Sequence, residues 1–252
     1  MEQTRAKFIK SLLIGATSVP VIMQACKKDS VASGTSSTSD STSTGTGSTG
    51  TCIVTPTETE GPFPYPGGEL TNPLERADVT EGQTGIPISY IFTIVNTNSS
   101  CAVVSGARVD IWHCNKDGYY SGYDNQNGGV SGLATNYAGQ TFLRGYQLTD
   151  SNGQAKFTSI YPGWYTSRAT HVHIEVYVNN VLKKTTQGAF SESISSLVHV
   201  TSLYKAHGVN PTSNSSDSVF GDSATDLANE MLVIAGDTTN GYSATFTIGI
   251  AL

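Results

Sequence analysis

The chain has 252 residues, of which 37% are hydrophobic and 13% charged, and a formal net charge of −6. So acidic and charge-poor a chain excludes sequence-independent nucleic-acid binding, which needs clustered Lys and Arg, and its make-up is far from collagen, a coiled coil or a multispanning membrane protein. With 26 Gly, 12 Tyr and much Ser and Thr, it points instead to an exported all-β protein.

Arg5, Lys7 and Lys10 precede an apolar run over residues 11–23 that is too short to span a bilayer comfortably. Small Ala25 then precedes Cys26, and Met23-Gln24-Ala25-Cys26 resembles a bacterial lipobox. Residues 1–25 are therefore expected to be a lipoprotein-type signal peptide. Cys26 would be lipidated, anchoring the protein to a membrane of the cell envelope, at the outer membrane or cell surface. Removing Glu2, Arg5, Lys7 and Lys10 takes away +2 and leaves the remainder at −8. Residues 26–51, dominated by Ser, Thr and Gly, cannot bury enough apolar area to offset their ordering entropy and are expected to form a flexible tether. From Cys52 to Leu252, about 200 residues remain, enough for one well-buried core. Cys52, Cys101 and Cys114 lie in this part. An envelope location permits a disulfide, one cysteine must stay unpaired, and the pairing is open.

Strand signals dominate the body of the chain. Residues 88–95, 109–112, 142–148, 155–160, 171–178, 181–187 and 242–250 are rich in β-branched and aromatic residues and separated by turn text such as Asp150-Ser-Asn-Gly153 and Asn240-Gly241. Asn179-Asn180 between two such runs predicts a tight hairpin. Helical text is confined to residues 195–207 and 224–234. Short strands with turns predict an all-β sandwich with long loops and little helix.

One strand carries chemistry. In His171-Val-His-Ile-Glu-Val-Tyr-Val178 the side chains alternate, so Val172, Ile174, Val176 and Val178 share a core face and His171, His173, Glu175 and Tyr177 share the other. The two histidines stand ~7 Å apart along the backbone, so their imidazoles can converge on one ion. Tyrosines sit on Gly-rich corners nearby, in Tyr161-Pro-Gly-Trp-Tyr165 and in Gly118-Tyr-Tyr120-Ser-Gly-Tyr123. Glu175 could complete a two-histidine, one-carboxylate site for Fe(II), but it lies a pleat beyond His173 and reads better as a neighbour of the ligands or a surface residue. Trp112 reads as core and His113 as a hydrogen-bonded structural residue. His199 and His207 look incidental.

Taken together, these blocks resemble the intradiol ring-cleavage dioxygenases, the family of the catechol 1,2- and protocatechuate 3,4-dioxygenases. Thr57-Glu-Thr-Glu-Gly-Pro-Phe63 is similar to the family's N-terminal TEGP block, residues 109–121 to its Trp-His block, and residues 161–174 to its block ending in His-x-His. The similarity extends through Thr185-Thr-Gln187 to the C-terminal strand. It implies Fe(III) bound by Tyr120, Tyr165, His171 and His173, with Tyr161 the rival for the second tyrosine and Tyr119 and Tyr123 rivals for the first. It also implies that Arg168 and Gln187 contact the substrate. Tyr165 would leave the metal and take a substrate proton, and Arg168 would stabilise negative charge developing on the substrate. The implied reaction inserts both atoms of O2 into a small aromatic diol and yields a muconate-type dicarboxylate, with no organic cofactor. Two phenolates favour Fe(III) over Fe(II), which agrees with that donor set. Two other functions compete: a cell-surface β-sandwich binding module with a vestigial or non-iron metal site, and a protein that loads copper or zinc at the histidine pair.

Overall fold

The computed structural model describes residues 52–133 and 136–252. The expected signal peptide, the Cys26 lipidation site and the tether lie outside the described residues. Nine strands and two short helices follow in chain order. They are β1 (Pro87–Asn96), β2 (Ala102–Val103), β3 (Arg108–Trp112), β4 (Arg144–Leu148), β5 (Gln154–Ile160), β6 (His171–Val178), β7 (Val181–Ala189), α1 (Glu192–His199), α2 (Ala224–Ala228), β8 (Val233–Asp237) and β9 (Gly241–Ile250). They build two sheets. One runs β2-β1-β9-β8, with β5 also paired to β1, and the other runs β4-β3-β6-β7. The β1–β9 pairing is parallel and the other strand pairings are antiparallel. This is the β-sandwich that the strand and turn text predicts.

The core lies where the alternating apolar faces meet. Ile88, Tyr90, Phe92 and Ile94 of β1 and Ala244, Phe246, Ile248 and Ile250 of β9 pack with Val109 and Ile111 of β3 and Val172, Ile174 and Val176 of β6. Period-two alternation therefore assigns the other face of β6 before any loop is considered. That outer face is not open to water: His171, His173, Glu175 and Tyr177 are buried, with Thr59, Gly61 and Tyr120 from the flanking loops packed against it. Asn179 and Asn180 take positive φ values of 53° and 60° at the β6–β7 turn, the conformation a two-residue hairpin with right-handed twist requires. Cys52 and Cys101 form a disulfide, and Cys114 is free and buried.

The helical expectations need correction. The first helix begins at Glu192 and stops at His199, not at His207. The chain must turn there so that Tyr204 can reach back, where its hydroxyl accepts from the Ile86 N–H at 3.1 Å and donates to the Tyr161 carbonyl at 2.7 Å. The second helix covers only Ala224–Ala228, and Val233–Asp237 becomes an edge strand hydrogen-bonded to β9. Local helical text yields there to the unpaired backbone of β9, which a strand satisfies and a helix does not.

Candidate functional site: a tyrosine–histidine cluster on the outer sheet face

Register places a row of four residues across the second sheet: Arg144 opposite Trp112, Trp112 opposite His173, and His173 opposite Gln187. All four project to the outer face. Cross-strand neighbours on one face touch, so Trp112 stacks flat on His173, with ring centroids 4.9 Å apart and an interplanar angle of 4°. The stack fixes the imidazole plane. At the Cε1 end of the ring lies Gly61, where a Cβ would stand 2.9 Å from His173 Cε1. Gly61 also has a φ of +71°, so both the backbone conformation and the available space call for glycine.

Two loops bring tyrosines to the histidines. The loop after β3 carries Tyr120, whose peptide is bracketed by Gln126. The Tyr120 N–H donates to Gln126 Oε1 at 2.7 Å, and Gln126 Nε2 donates to the Tyr120 carbonyl at 2.7 Å. The loop after β5 carries Tyr165. The loops meet at Gly118, where a Cβ would fall 2.2 Å from the Trp164 carbonyl oxygen. Any other residue there would force the two tyrosine-bearing loops apart.

Three donor atoms converge. Tyr120 Oη lies 3.3 Å from His171 Nε2 and 3.2 Å from His173 Nε2, and the two Nε2 atoms are 3.1 Å apart. The His171 tautomer follows from its other nitrogen. Nδ1 lies 2.6 Å from the Ala169 carbonyl, which can only accept, so Nδ1 carries the proton and Nε2 presents its lone pair to the cluster. Tyr165 stands beside them, its ring edge-on to Tyr120 at 5.8 Å and to His171 at 5.7 Å. Arg168 donates from Nη1 to the Tyr165 hydroxyl at 3.3 Å and from Nη2 to Gln187 Oε1 at 2.6 Å. Gln187 in turn donates to the Thr59 carbonyl at 2.8 Å.

Burial, and then the Arg168 charge, press the His171 imidazole well below its ordinary value, and burial does the same to His173. Both rings are therefore neutral, as metal ligands must be. Burial raises the Tyr120 phenol well above its ordinary value. Tyr165 is also raised by burial, with the Arg168 guanidinium pulling the other way. A buried phenol of this kind ionises when a highly charged cation sits against it.

The residues fit such a cation. Donor atoms at ~2.0–2.1 Å from one ion, set at right angles to one another, lie ~3 Å apart, which is the spacing seen here. Among the described residues, no three His, Cys, Asp or Glu side chains gather for an ion. The additional donors available to the histidine pair are phenolic. Glu175 belongs elsewhere, bonded to the Tyr177 hydroxyl and, at 2.9 Å, to Thr185 Oγ1.

The rival tyrosines point away. The Tyr161 hydroxyl is buried against Ser195 Oγ at 2.9 Å within the sandwich core, Tyr119 donates to the Val130 carbonyl at 2.6 Å, and Tyr123 donates to the Pro64 carbonyl at 2.7 Å. His113 is satisfied by the Cys114 carbonyl and Ser159 Oγ. His207 stacks on Trp164. His199 is buried near Tyr204. Sequence reasoning missed Phe63, which stacks on Tyr120 at 4.8 Å and stands edge-on to Tyr165, and Asp217, which pairs with Arg168. Phe63 stands in the TEGP-like block, so a signal for it existed. Asp217 lies in featureless Ser/Asn text.

The family model described as Dioxygenase matches residues 59–195. No curated protein sequence matches the chain. Among solved structures, an intradiol ring-cleavage dioxygenase from Tetranychus urticae is 25% identical, with 79% of this chain and 95% of that chain covered and a TM-score of 0.69. The dioxygenase domain of a dioxygenase carbohydrate-binding protein fusion from Streptomyces sp. SirexAA-E shares the fold at 20% identity, covering 79% of this chain and 99% of that one, with a TM-score of 0.55. A 3-chlorocatechol 1,2-dioxygenase from Rhodococcus opacus 1CP does so at 15% identity, covering 78% and 72%, with a TM-score of 0.52. The matched segment contains the blocks that carry Tyr120, Tyr165, His171 and His173, and on this match the chain belongs to the intradiol ring-cleavage dioxygenase family.

Proposed function

We propose that the domain is an Fe(III)-dependent dioxygenase that cleaves a catechol-type aromatic diol between its hydroxyl-bearing carbons, with Tyr120, Tyr165, His171 and His173 as the metal ligands. The observation that supports this reading is the convergence of Tyr120 Oη, His171 Nε2 and His173 Nε2 to within 3.1–3.3 Å of one another beside Tyr165 and Arg168. Ferric iron would supply Lewis acidity there, holding tyrosine as phenolate and drawing electron density from a bound catecholate so that its ring reacts with O2.

The chain's own groups do the rest. Tyr165 is the less enclosed of the two tyrosines, 8% exposed against 0% for Tyr120, and so is the one free to swing and take the proton from a substrate hydroxyl. The Arg168 guanidinium, within reach of the Tyr165 oxygen, stabilises negative charge that develops on the substrate. Gln187 holds the second arm of that guanidinium. Phe63 packs its ring against both tyrosines. Both oxygen atoms of O2 end in a muconate-type dicarboxylate. A binding module or a zinc- or copper-loading protein gives no reason for an arginine to be aimed at a phenol next to a histidine pair.

The purified protein, loaded with Fe(III), is expected to show a phenolate-to-iron band in the visible and to take up one O2 per catechol, with a ring-opened dicarboxylate as product. A colourless iron-loaded protein that leaves catechols intact would refute the reading. His173→Ala is expected to lose iron and, with it, turnover.

The Cys52–Cys101 disulfide supports export, because such bonds persist in oxidising compartments. We extend the proposal to a lipid anchor on Cys26 in the cell envelope. Metabolic labelling with palmitate should mark the wild-type chain and not Cys26→Ser, and equal labelling would refute it.

A further inference from the structure

Arg168 donates to the Tyr165 hydroxyl, and all three of its guanidinium nitrogens are engaged. Its Nε donates to Asp217 Oδ2 at 2.9 Å while its two Nη atoms serve Tyr165 and Gln187. Asp217 sits on the loop after β7 and α1, beyond residue 195 where the family match ends. Its side chain is fully buried. The carboxylate takes four donors. Oδ2 accepts Arg168 Nε and the Ala169 N–H, the latter at 2.5 Å, and Oδ1 accepts the N–H groups of Val219 at 2.7 Å and Phe220 at 3.3 Å. Ala169 is also the residue whose carbonyl fixes His171.

From this geometry we infer that Asp217 is the positioning residue of the site: one carboxylate sets the plane of the Arg168 guanidinium toward Tyr165 and Gln187 and holds the backbone N–H of the adjoining Ala169. This rests on the reading of Arg168 as the charge-stabilising group of the dioxygenase reaction. A planar guanidinium held at Nε by Asp217 and at Nη2 by Gln187 has its plane, and so the direction of its Nη1 arm, set. Asn cannot replace the carboxylate. Its amide NH2 would face either the Arg168 and Ala169 donors or the Val219 and Phe220 donors, leaving a donor against a donor in a buried site.

The test uses the full chain loaded with iron. Asp217→Asn is expected to lower kcat about 100-fold, the scale on which small misplacements of catalytic groups act, while iron content and the visible band persist. Arg168→Lys is expected to lose a similar factor, and the Asp217→Asn/Arg168→Lys double variant no more than the worse single variant, because both changes break one unit. Wild-type kcat in Asp217→Asn, or losses that multiply in the double variant, would overturn the inference. A second measurement needs neither iron nor turnover. In 15N-labelled, metal-free wild type, the Arg168 Nε–H resonance, assigned by its disappearance in Arg168→Lys, is expected to exchange slowly with solvent. Exchange as fast as that of the surface arginines would overturn the pairing even if Asp217→Asn fails to fold. If wild type cleaves no catechol, the enzymatic reading fails, and the exchange measurement still decides whether Asp217 holds Arg168.

Discussion

Gly61 offers the sharpest test of the site, because its two reasons for being glycine can be separated. Gly61→Ala places an L-residue at φ +71° and a methyl 2.9 Å from His173 Cε1. The left-handed conformation alone costs roughly 1–2 kcal/mol. Gly82 supplies the control. It has a φ of +74°, and nothing stands within 4 Å of its hypothetical Cβ. Gly82→Ala therefore carries the backbone cost without the collision. In metal-free protein, each substitution should lower Tm by about 2–4 °C per kcal/mol for a domain of this size. The contact acts on the loaded form. The buried Trp112 ring stacked on His173 limits how the imidazole can move, so a methyl against Cε1 must displace the ring and carry the adjoining Nε2 from its place beside Tyr120 and His171. Binding to the native state raises Tm according to ligand affinity. Gly61→Ala should thus lose most of the Tm gain that Fe(III) gives the wild type, and Gly82→Ala should keep it. Differential scanning fluorimetry with and without Fe(III), alongside iron content, reads both quantities. An equal iron-dependent gain in the two variants would refute the claim that Gly61 sets the position of His173.

Tyr165→Phe should retain iron and shift the visible band while turnover falls severely. Tyr161→Phe should keep turnover and lose only the hydrogen bond to Ser195, a stability cost of about 1 kcal/mol seen in denaturant melts. Burial, then the Glu58 carboxyl alongside, push Glu230 up from 4.5 to about 8, with Asp222 and Asp226 adding to the shift. The folded state therefore holds a proton that the unfolded chain releases, so stability should fall as pH rises from about 4.5 to about 8, and Glu230→Gln should flatten that slope in pH-dependent melts. Reducing the Cys52–Cys101 bond frees a loop with a sequence separation of 49. Loop-closure entropy for a ring of that size predicts a loss of about 4 kcal/mol, measurable as a lower denaturant midpoint in dithiothreitol.

Much of the fold was legible in one dimension because it depends on local rules. Alternation in residues 171–178 assigns the faces of β6, and the Asn179-Asn180 pair demands a hairpin. The histidine pair was legible for the same reason, since two residues of strand spacing need no partner to share a face. Residues 224–234 misled because their text is compatible with a helix, and the free edge of β9 outweighed that preference for Val233–Asp237.

Pairings across long separations were out of reach. The sequence left Cys52, Cys101 and Cys114 open, and only the packed chain brings Cys52 to Cys101. In the sequence Tyr161 stands as the rival to Tyr165, because both lie on one Gly-rich corner four residues apart. The corner at Pro162-Gly163 sends Tyr161 inward to Ser195 and Tyr165 outward to Arg168, a choice made by the two sheets the corner joins. Asp217 is the extreme case, an aspartate among serines that meets Arg168 across 49 residues. By itself the sequence determined the sandwich, the face that bears the chemistry and the residue types on it, because strand period and side-chain chemistry are local. Which phenol meets which imidazole, and which carboxylate steadies the arginine, was decided by tertiary structure, because those contacts exist only once loops distant in the chain are buried against one sheet.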